Sequence, residues 1–510
     1  MNETFLVITI PFLLIIGGIV SFLFKKLAAI LSTFFFSLSF IINSWILLNV
    51  GENAFVFPNI AGIVINASSA FIIEIALLLG LLSVIYSYEY FEDKEILPQF
   101  YLLFSFFIAT LILMVSSFNI LIIYISFEAS TIAGGILILF TRRRSATKAA
   151  IRFFILSLTG AIIILSGILY QQMLGGFILI REVFSKINNF DLTIIASLYA
   201  IGFGIKVGIF PFGLMWLPPA HSEAPIPVHA MLSGLMVQIA AFSVARIIGV
   251  MFPMSNILSQ ILIILGVLSV ITGAILVFIE AILGSKYSRF HVGLVNIRGL
   301  KRIWAFSTCS DVGVFYILLG LALSFPLLIS QYFAGILTHF LNHGLAKALL
   351  LFDSGYVIET SRIEDLTIMK GLGRKLGITG FTFLIGGLSL ALMPGTLGYI
   401  IALEIIKGHL NREIAIPILI GASLIFITVI YSLIKIAFGR PKVKIEYLRK
   451  VEDYKILRIP GIVLASLLLI LGIIVLLGST EIAFQNYYHE LEKWFSIAAK
   501  TIIEPWVRSI

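Results

Sequence analysis

Residues 202–238 read GFGIKVGIFPFGLMWLPPAHSEAPIPVHAMLSGLMVQ and decide the fold of this chain. An apolar helix carries one lysine, Lys206, and we expect it to break at Pro211 and again at Pro218–Pro219, because proline has no N–H to donate. A second apolar helix follows and carries a polar residue, Gln238. Irregular backbone survives at membrane depth only where protein buries it or where it lines a wet cavity. Because a buried ammonium is also costly, the stretch predicts an ion path.

Composition places the whole chain in a membrane. It is 60% hydrophobic and only 12% charged, whereas soluble domains carry about 25% charged residues. The net charge of +9 comes from basic residues in short loops between apolar runs, a pattern typical of cytoplasmic loops and not of nucleic-acid binding. The single cysteine, Cys309, excludes multi-cysteine metal and iron–sulfur sites within this chain. No cofactor motif or metal site is predicted, and the Ile-rich, Cys-poor composition favours a thermophile.

Apolar runs of about 20 residues predict an all-α polytopic membrane protein with about fourteen transmembrane helices. The predicted limits are 5–23, 27–49, 67–87, 100–116, 119–140, 149–170, 192–215, 226–247, 257–283, 301–323, 328–351, 377–407, 414–437 and 459–478. The basic loops belong in the cytoplasm, which puts both termini outside the cell membrane. The segment after the last span is expected to form an interfacial amphipathic helix.

A carboxylate and an amine form the first candidate site. Glu128 lies in an otherwise apolar run, where desolvation neutralises it unless a cation faces it. Lys206 has the opposite problem, so we expect the two side chains to pair. A pair that separates would release the lysine's proton and act as a switchable proton site; the alternative is a static ion pair that fixes helix packing.

The second candidate site is LTHFLNHGLAKALLLF. His339, His343 and Lys347 are spaced four residues apart and therefore share one helix face. Because histidine titrates near neutral pH, a proton relay is favoured over purely structural hydrogen bonding. A metal site is the weakest interpretation, since no carboxylate or cysteine lies nearby in sequence.

A third interruption, residues 393–396, breaks the span 377–407 and is followed by Glu404, either an exit gate or a partner of Lys407. Two interrupted spans in corresponding places indicate inverted repeats. We therefore divide the chain into 1–99, a first repeat 100–247, a second repeat 257–437 and a C-terminal part 438–510.

Several isolated polar residues complete the candidate set. His221 and Glu223, in the predicted turn LPPAHSEAP, either feed protons from the cytoplasmic side or only cap the broken helix. His229 and Asp311 are weaker candidates for the path. Glu74 is a buried acid that needs a partner, which we expect from a neighbouring subunit.

Four segments then show a resemblance to a known family. LPPAHSEAPIPVHAMLSG, LNHGLAKALLLFDSG, KRIWAFSTCSDVG and IYSYEYFEDKEILPQFYLLFSFF resemble signatures of antiporter-like membrane subunits. Such subunits occur in respiratory complex I, Mrp-type sodium/proton antiporters, membrane-bound hydrogenases and archaeal sulfur-reducing relatives. The resemblance implies fourteen helices in two inverted five-helix repeats with a proton path at the membrane midplane. It matches Glu128 to the family glutamate, Lys206 to the family lysine, and His339, His343 and Lys347 to the relay helix.

The chain also departs from the family. Gln238 stands where the family usually has a lysine, and glutamine does not titrate near neutrality. The family's second gate position falls on Ala402, so Glu404 is offset from it, and residues 286–298 form an insertion.

The resulting expectation is a proton- or sodium-translocating subunit of a multisubunit redox complex such as a membrane-bound hydrogenase, without a redox centre of its own. Its partners would be other membrane subunits, peripheral iron–sulfur subunits and the lipid bilayer. The alternatives are an Mrp-type antiporter subunit and a degenerate, non-pumping structural subunit.

Overall fold

The computed structural model describes residues 3–50, 55–56, 62–175, 187–250, 256–283, 299–325, 328–366, 369–406, 412–439 and 454–480, together with Lys493 and Lys500. This part of the chain is almost entirely helical. Its two short strands, β1 (Phe55–Val56) and β2 (Val64–Ile65), pair antiparallel in the connection between the second and third helices. The predicted amphipathic tail and the 286–298 insertion lie outside the described residues.

The helices follow the apolar runs of the sequence. Those of the first half are α1 (Glu3–Leu23), α2 (Ala28–Val50), α3 (Ala67–Tyr90), α4 (Leu97–Ser116), α5 (Ile120–Ile138), α6 (Arg144–Gly175), α7 (Asn189–Val207), α8 (Phe212–Glu223), α9 (Ile226–Met231) and α10 (Val237–Val250). Those of the second half are α11 (Asn256–Leu283), α12 (Leu300–Ser324), α13 (Ile329–Ser361), α14 (Gly373–Leu376), α15 (Ile378–Leu390), α16 (Tyr399–Ile406), α17 (Arg412–Ala437) and α18 (Ile459–Thr480).

The predicted fold class, an all-α polytopic membrane protein, is confirmed. Within the described residues, 11 helices are long and apolar enough to cross a membrane, and two shorter apolar helices accompany them. Outward-facing side chains are strongly apolar, for example Leu48 at 85% exposure and Met173 at 83%, as a lipid-facing surface requires. The count of fourteen and the inverted repeats stay predictions.

The interior of the fold is formed by the helices that carry polar residues. The most apolar windows of 226–249 and of α12 are completely buried, although both contain ionisable or amide side chains. A helix that is buried all round faces protein and not lipid. The fold therefore keeps these polar groups away from the hydrocarbon and close to one another.

The first broken helix is α7–α8, and its break lies at one proline only. Gly208 ends α7 with a φ of 89°, a conformation that glycine adopts without a Cβ clash, and α8 begins after Pro211. The predicted second break at Pro218–Pro219 is wrong, because both residues lie inside α8 and the helix continues to Glu223. Proline's fixed φ is itself helical, and both prolines are buried, so packing holds the helix despite two missing N–H groups.

Two other irregularities occur at membrane depth. A π-helical turn, Leu232–Met236, joins α9 to α10, and such turns are frequent at functional sites. The second broken helix is α15–α16, in which residues 391–398 separate the two helical parts. It is held to α13, because the hydroxyl of Ser389 donates to Oδ1 of Asn342 at 2.6 Å.

Candidate functional site

Lys206 is fully buried and makes three hydrogen bonds to α5. Its Nζ donates to the carbonyl oxygen of Phe127 at 2.8 Å, to Oγ of Ser130 at 2.8 Å and to Oγ1 of Thr131 at 2.7 Å. The ammonium also lies 3.8 Å from the centre of the Phe127 ring, a favourable cation–π distance. An ammonium has three N–H donors, so each donor has one acceptor.

This set of acceptors suits both protonation states of Lys206. The hydroxyls of Ser130 and Thr131 donate to the carbonyl of Phe127, which leaves their lone pairs for the ammonium. A hydroxyl can also rotate and donate, so either group can serve the lone pair of a neutral amine. The geometry therefore allows the lysine to lose and regain a proton without leaving an unpaired buried group.

The predicted direct pairing of Lys206 with Glu128 is wrong in this structure. All three Nζ donors are directed at the neighbouring acceptors, and Oε1 of Glu128 has no hydrogen-bond partner. The physical reason is local: Ser130 and Thr131 follow Glu128 on the same helix and reach the lysine first. The two charges still attract each other electrostatically, and α5 connects them through Phe127, Ser130 and Thr131.

In the second half of the chain, Asp311 on α12 is the centre of the polar cluster. Its Oδ2 lies 3.1 Å from Nδ1 of His343 and 3.3 Å from Nζ of Lys347, both on α13. Its backbone carbonyl accepts from Nε2 of His339 at 3.0 Å. Asp311 was a weak candidate in the sequence because its partners are some 30 residues away, yet it contacts all three relay residues.

Lys347 is bound much as Lys206 is. Besides Asp311, its Nζ donates to the carbonyl of Trp304 at 3.1 Å and to the hydroxyl of Ser307. Each buried lysine thus meets one backbone carbonyl, one serine hydroxyl and one further side-chain oxygen. The third partner differs: a threonine hydroxyl at Lys206 and a carboxylate at Lys347.

His343 forms a hydrogen bond with Asp311 through Nδ1. Its Nε2 lies 3.1 Å from the carbonyl oxygen of Ser233 in the π turn, and because a carbonyl only accepts, Nε2 carries a hydrogen. Between Nδ1 and Oδ2 of Asp311 there is room for one more proton. That proton makes either an imidazolium facing a carboxylate or a neutral imidazole facing a carboxylic acid. The close approach of Gly234 to Gly344, whose carbonyl would lie 3.2 Å from a Cβ at 234, brings the π turn to this histidine.

A third polar group lies at the end of α8. The rings of His221 and His229 are 5.1 Å apart, both residues are 0% exposed, and none of their four ring nitrogens has a hydrogen-bond partner. The carboxylate of Glu223 has the hydroxyl of Ser145 as its hydrogen-bonding neighbour. The predicted turn at LPPAHSEAP is helical up to Glu223, so these residues are held by a regular element. His221 interacts electrostatically with Lys347 and His343, two residues of the Asp311 cluster.

Two predicted path residues remain. Gln238 is 1% exposed on α10, and its Nε2 has no hydrogen-bond partner. Glu404 belongs to α16, but its side chain lies outside the described part of the structure. Within the described residues, no group of three or more His, Cys, Asp or Glu side chains is arranged to hold a metal ion.

Three polar side chains were not predicted from the sequence: Arg246, Ser130 and Thr131. Arg246 is 0% exposed and donates to the carbonyls of Val115 at 2.6 Å, Ser117 at 2.5 Å and Met114 at 3.1 Å. It thereby satisfies the end of α4, where the helix dipole favours a cation. The hydroxyls of Ser130 and Thr131 beside Glu128 were a readable signal for the lysine's partners.

Two further acids have partners within the chain. Asp353 on α13 is 1% exposed and accepts from Thr382 at 2.7 Å. Glu74 finds its partners within the chain, because Asn43 donates to its Oε2 at 2.7 Å and Ser44 contacts its Oε1. A neighbouring subunit is therefore not needed to satisfy Glu74.

The fold and site define a class: a multi-pass membrane protein with two broken helices and a buried series of lysine, histidine and carboxylate side chains. The chain belongs to the NADH:quinone oxidoreductase/Mrp antiporter transmembrane family, whose sequence profile matches residues 117–428. It is therefore an antiporter-like membrane subunit, as the resemblance implied.

Its relatives are subunits of larger assemblies. NADH-quinone oxidoreductase subunit N of Desulforudis audaxviator is 27% identical over 387 residues, covering 74% of this chain and 72% of the relative. Hydrogenase-4 component B of Escherichia coli is also 27% identical, but the match covers 66% of this chain and only 49% of that protein.

Two solved structures share the fold over almost the whole chain. One is the archaeal membrane-bound sulfane sulfur reductase, with a TM-score of 0.81, 19% identity and coverage of 99% of this chain and 98% of that chain. The other is the Mrp complex of a Dietzia species, with a TM-score of 0.81, 16% identity and the same coverage. At these identities the likeness concerns the fold alone.

Proposed function

We propose that this chain translocates protons, or sodium in exchange for protons, as the antiporter-like subunit of a multisubunit membrane redox complex. Glu128 and Lys206 form the switchable site of the first half. Asp311, His343, Lys347 and His339 form that of the second half. His221, His229 and Glu223 supply protons from the side of the basic loops, and Gln238 and Glu404 lie further along the path.

The buried contact between Nδ1 of His343 and Oδ2 of Asp311, at 3.1 Å, is the observation that best supports this proposal. A purely structural cluster does not need a hydrogen bond whose proton can lie on either partner. An ordinary hydrogen bond with one fixed donor stabilises the fold as well. Lys347 lies 3.3 Å from the same carboxylate, so the position of the charge is sensitive to any ion that arrives nearby. Buried ionisable groups of this kind are costly in a membrane and are usually functional.

The setting follows from the same proposal. We place the chain in the cytoplasmic membrane with both termini outside, because the basic loops favour the cytoplasm. Residues 100–247 and 257–437 act as two inverted halves, each with one broken helix. We expect no redox centre in this chain, because its sequence has a single cysteine and no cofactor motif, so peripheral subunits with iron–sulfur clusters would carry the electrons of a hydrogenase-like or sulfur-reducing complex.

Charge removal at Lys206 and Glu128 tests the proposal. In the assembled complex, Lys206→Ala and Glu128→Gln should abolish proton translocation and leave the amount of complex unchanged. Lys148→Ala and Glu95→Gln are matched controls. Both residues are exposed, so both variants should transport protons normally. Normal transport in both site variants would refute the proposal.

A structural, non-pumping subunit is the second candidate, and Gln238 is the observation that favours it. Where relatives resembling this chain have a titrating lysine, this amide can neither take nor release a proton. In that case Glu128 is dispensable for transport and Gln238→Lys changes nothing. The chains that copurify with the native protein distinguish a redox complex from an Mrp-type antiporter. Iron–sulfur or hydrogenase-like chains favour a redox complex, whereas small membrane subunits alone favour an Mrp-type antiporter.

A further inference from the structure

Glu223 lies inside a ring of contacts made by four separate parts of the chain. It is the last residue of α8 and is 0% exposed. Lys301, the second residue of α12, donates to the carbonyl of the next residue, Ala224, at 2.7 Å. This bond fixes the start of α12 against the end of α8, directly beside the carboxylate.

The ring continues from α12 to the segment that follows α13. The backbone N–H of Leu300 donates to the carbonyl of Glu364 at 3.2 Å. The approach is so close that a Cβ on Gly299 would lie 2.5 Å from that carbonyl oxygen, so a larger residue at 299 would push the two segments apart. The backbone of Glu364 is therefore held firmly over this end of the bundle.

The side chain of Glu364 completes the ring. Its Oε1 lies 2.9 Å from Nη2 of Arg143, which precedes α6, and the two side chains are 30% and 51% exposed. Glu223 interacts electrostatically with Lys301, Arg143 and Glu364, and the hydroxyl of Ser145, two residues after Arg143, is its hydrogen-bonding neighbour. The buried carboxylate therefore belongs to the same group of side chains as the partly exposed ion pair. On α8, His221 lies two residues before Glu223, and its ring is 5.1 Å from that of His229.

We propose that the Arg143–Glu364 ion pair closes the proton entrance of this subunit, with Glu223 as the first buried acceptor behind it. The proposal rests on the function proposed above, and it assigns to Arg143 and Glu364 a positioning role that their surface location alone does not indicate. A proton reaches Glu223 when the ion pair separates and passes to His229 and His221, which lead to the Asp311 cluster. While the pair is closed, the side chains of Arg143 and Glu364 are held together at 2.9 Å and cover the approach to Glu223.

Exposed ion pairs contribute little to stability, so this contact opens readily. Gly299 and Lys301 are buried, so their contacts would remain formed when the ion pair opens. Opening therefore needs only rotation of two side chains. That is the property a gate in front of a proton acceptor requires, since the bundle itself must stay closed to water.

Thiol accessibility tests the gate without measuring transport. The native cysteine, Cys309, is buried, so Glu223→Cys supplies the reporter in the assembled complex, treated from the basic-loop side with a small impermeant thiosulfonate. We expect slow labelling with the ion pair intact and at least ten-fold faster labelling after Arg143→Gln or Glu364→Gln. Restoring the pair in reverse, with Arg143→Glu and Glu364→Arg together, should slow labelling again.

The neighbouring arginine provides the matched control. Arg142 is 72% exposed and lies 3.7 Å from Asp93, so Arg142→Gln removes the same charge one residue away and should leave the labelling rate unchanged. Equal rates for Arg143→Gln and Arg142→Gln would overturn the gate. Because labelling does not depend on transport, a gate that fails this test leaves the proposed function intact, and a Lys206→Ala variant that still transports protons contradicts the function whatever the labelling shows.

Discussion

Asp311→Asn is the substitution whose consequences the structure specifies best. It keeps the shape of the side chain and removes the charge that lies 3.1 Å from His343 and 3.3 Å from Lys347. At 3.3 Å, two unit charges attract by about 5 kcal/mol with an effective dielectric constant of about 20. Removing one partner of a buried pair costs a similar ~3–5 kcal/mol.

Such a loss would change the charge of Lys347. The protonated form of Lys347 is then disfavoured, because its charge would stay buried at 0% exposure with no opposite charge beside it. We therefore expect Asp311→Asn to stop proton translocation while the complex still assembles.

The assay is proton uptake by vesicles containing equal amounts of variant and wild-type complex. Asp93→Asn is the control, since that carboxylate is half exposed in an ion pair at 3.7 Å and its loss should not affect transport. A double change, Asp311→Asn with Lys347→Gln, removes both charges and should recover thermal stability but not transport. Transport by Asp311→Asn within two-fold of wild type would refute the reasoning.

Three further substitutions test other parts of the account. Thr131→Val leaves one N–H of Lys206 without its acceptor and should cost about 1–3 kcal/mol, seen as a lower melting temperature in detergent together with slower transport; an unchanged melting temperature would contradict the three-acceptor geometry. Arg246→Leu leaves the last carbonyls of α4 unpaired and should reduce the amount of folded protein in membranes, whereas normal yields would show that these bonds are dispensable. Gln238→Leu should lower transport at least ten-fold with assembly intact, and unaltered transport would remove Gln238 from the path.

Much of the architecture can be predicted from the sequence because hydrocarbon imposes simple requirements. Long apolar runs had to be helices, and Pro211 had to interrupt one of them. The second expected break failed at Pro218–Pro219, since proline ends a helix only when no packing compensates its missing N–H groups. Burial on all sides, which a single sequence does not reveal, holds α8 together there.

The site was predictable as a set of residues but not as a set of contacts. A lysine and a glutamate in apolar runs predict an ion pair. The hydroxyls of Ser130 and Thr131, on the same helix as Glu128, instead accept hydrogen bonds from Lys206 directly. Asp311 stood alone in its own helix and became the centre of the second half only when α12 and α13 came together. The ring around Glu223 joins four segments that are far apart in sequence, and only the folded chain brings Arg143 to Glu364.

The central claim is that this subunit moves ions through its buried lysines. The most direct test is the number of charges translocated per turnover of the purified, reconstituted complex, compared between wild type and a variant that combines Lys206→Ala with Asp311→Asn. We expect this number to fall by the share of one subunit while turnover continues or slows. An unchanged number of charges per turnover at equal complex content would contradict the claim.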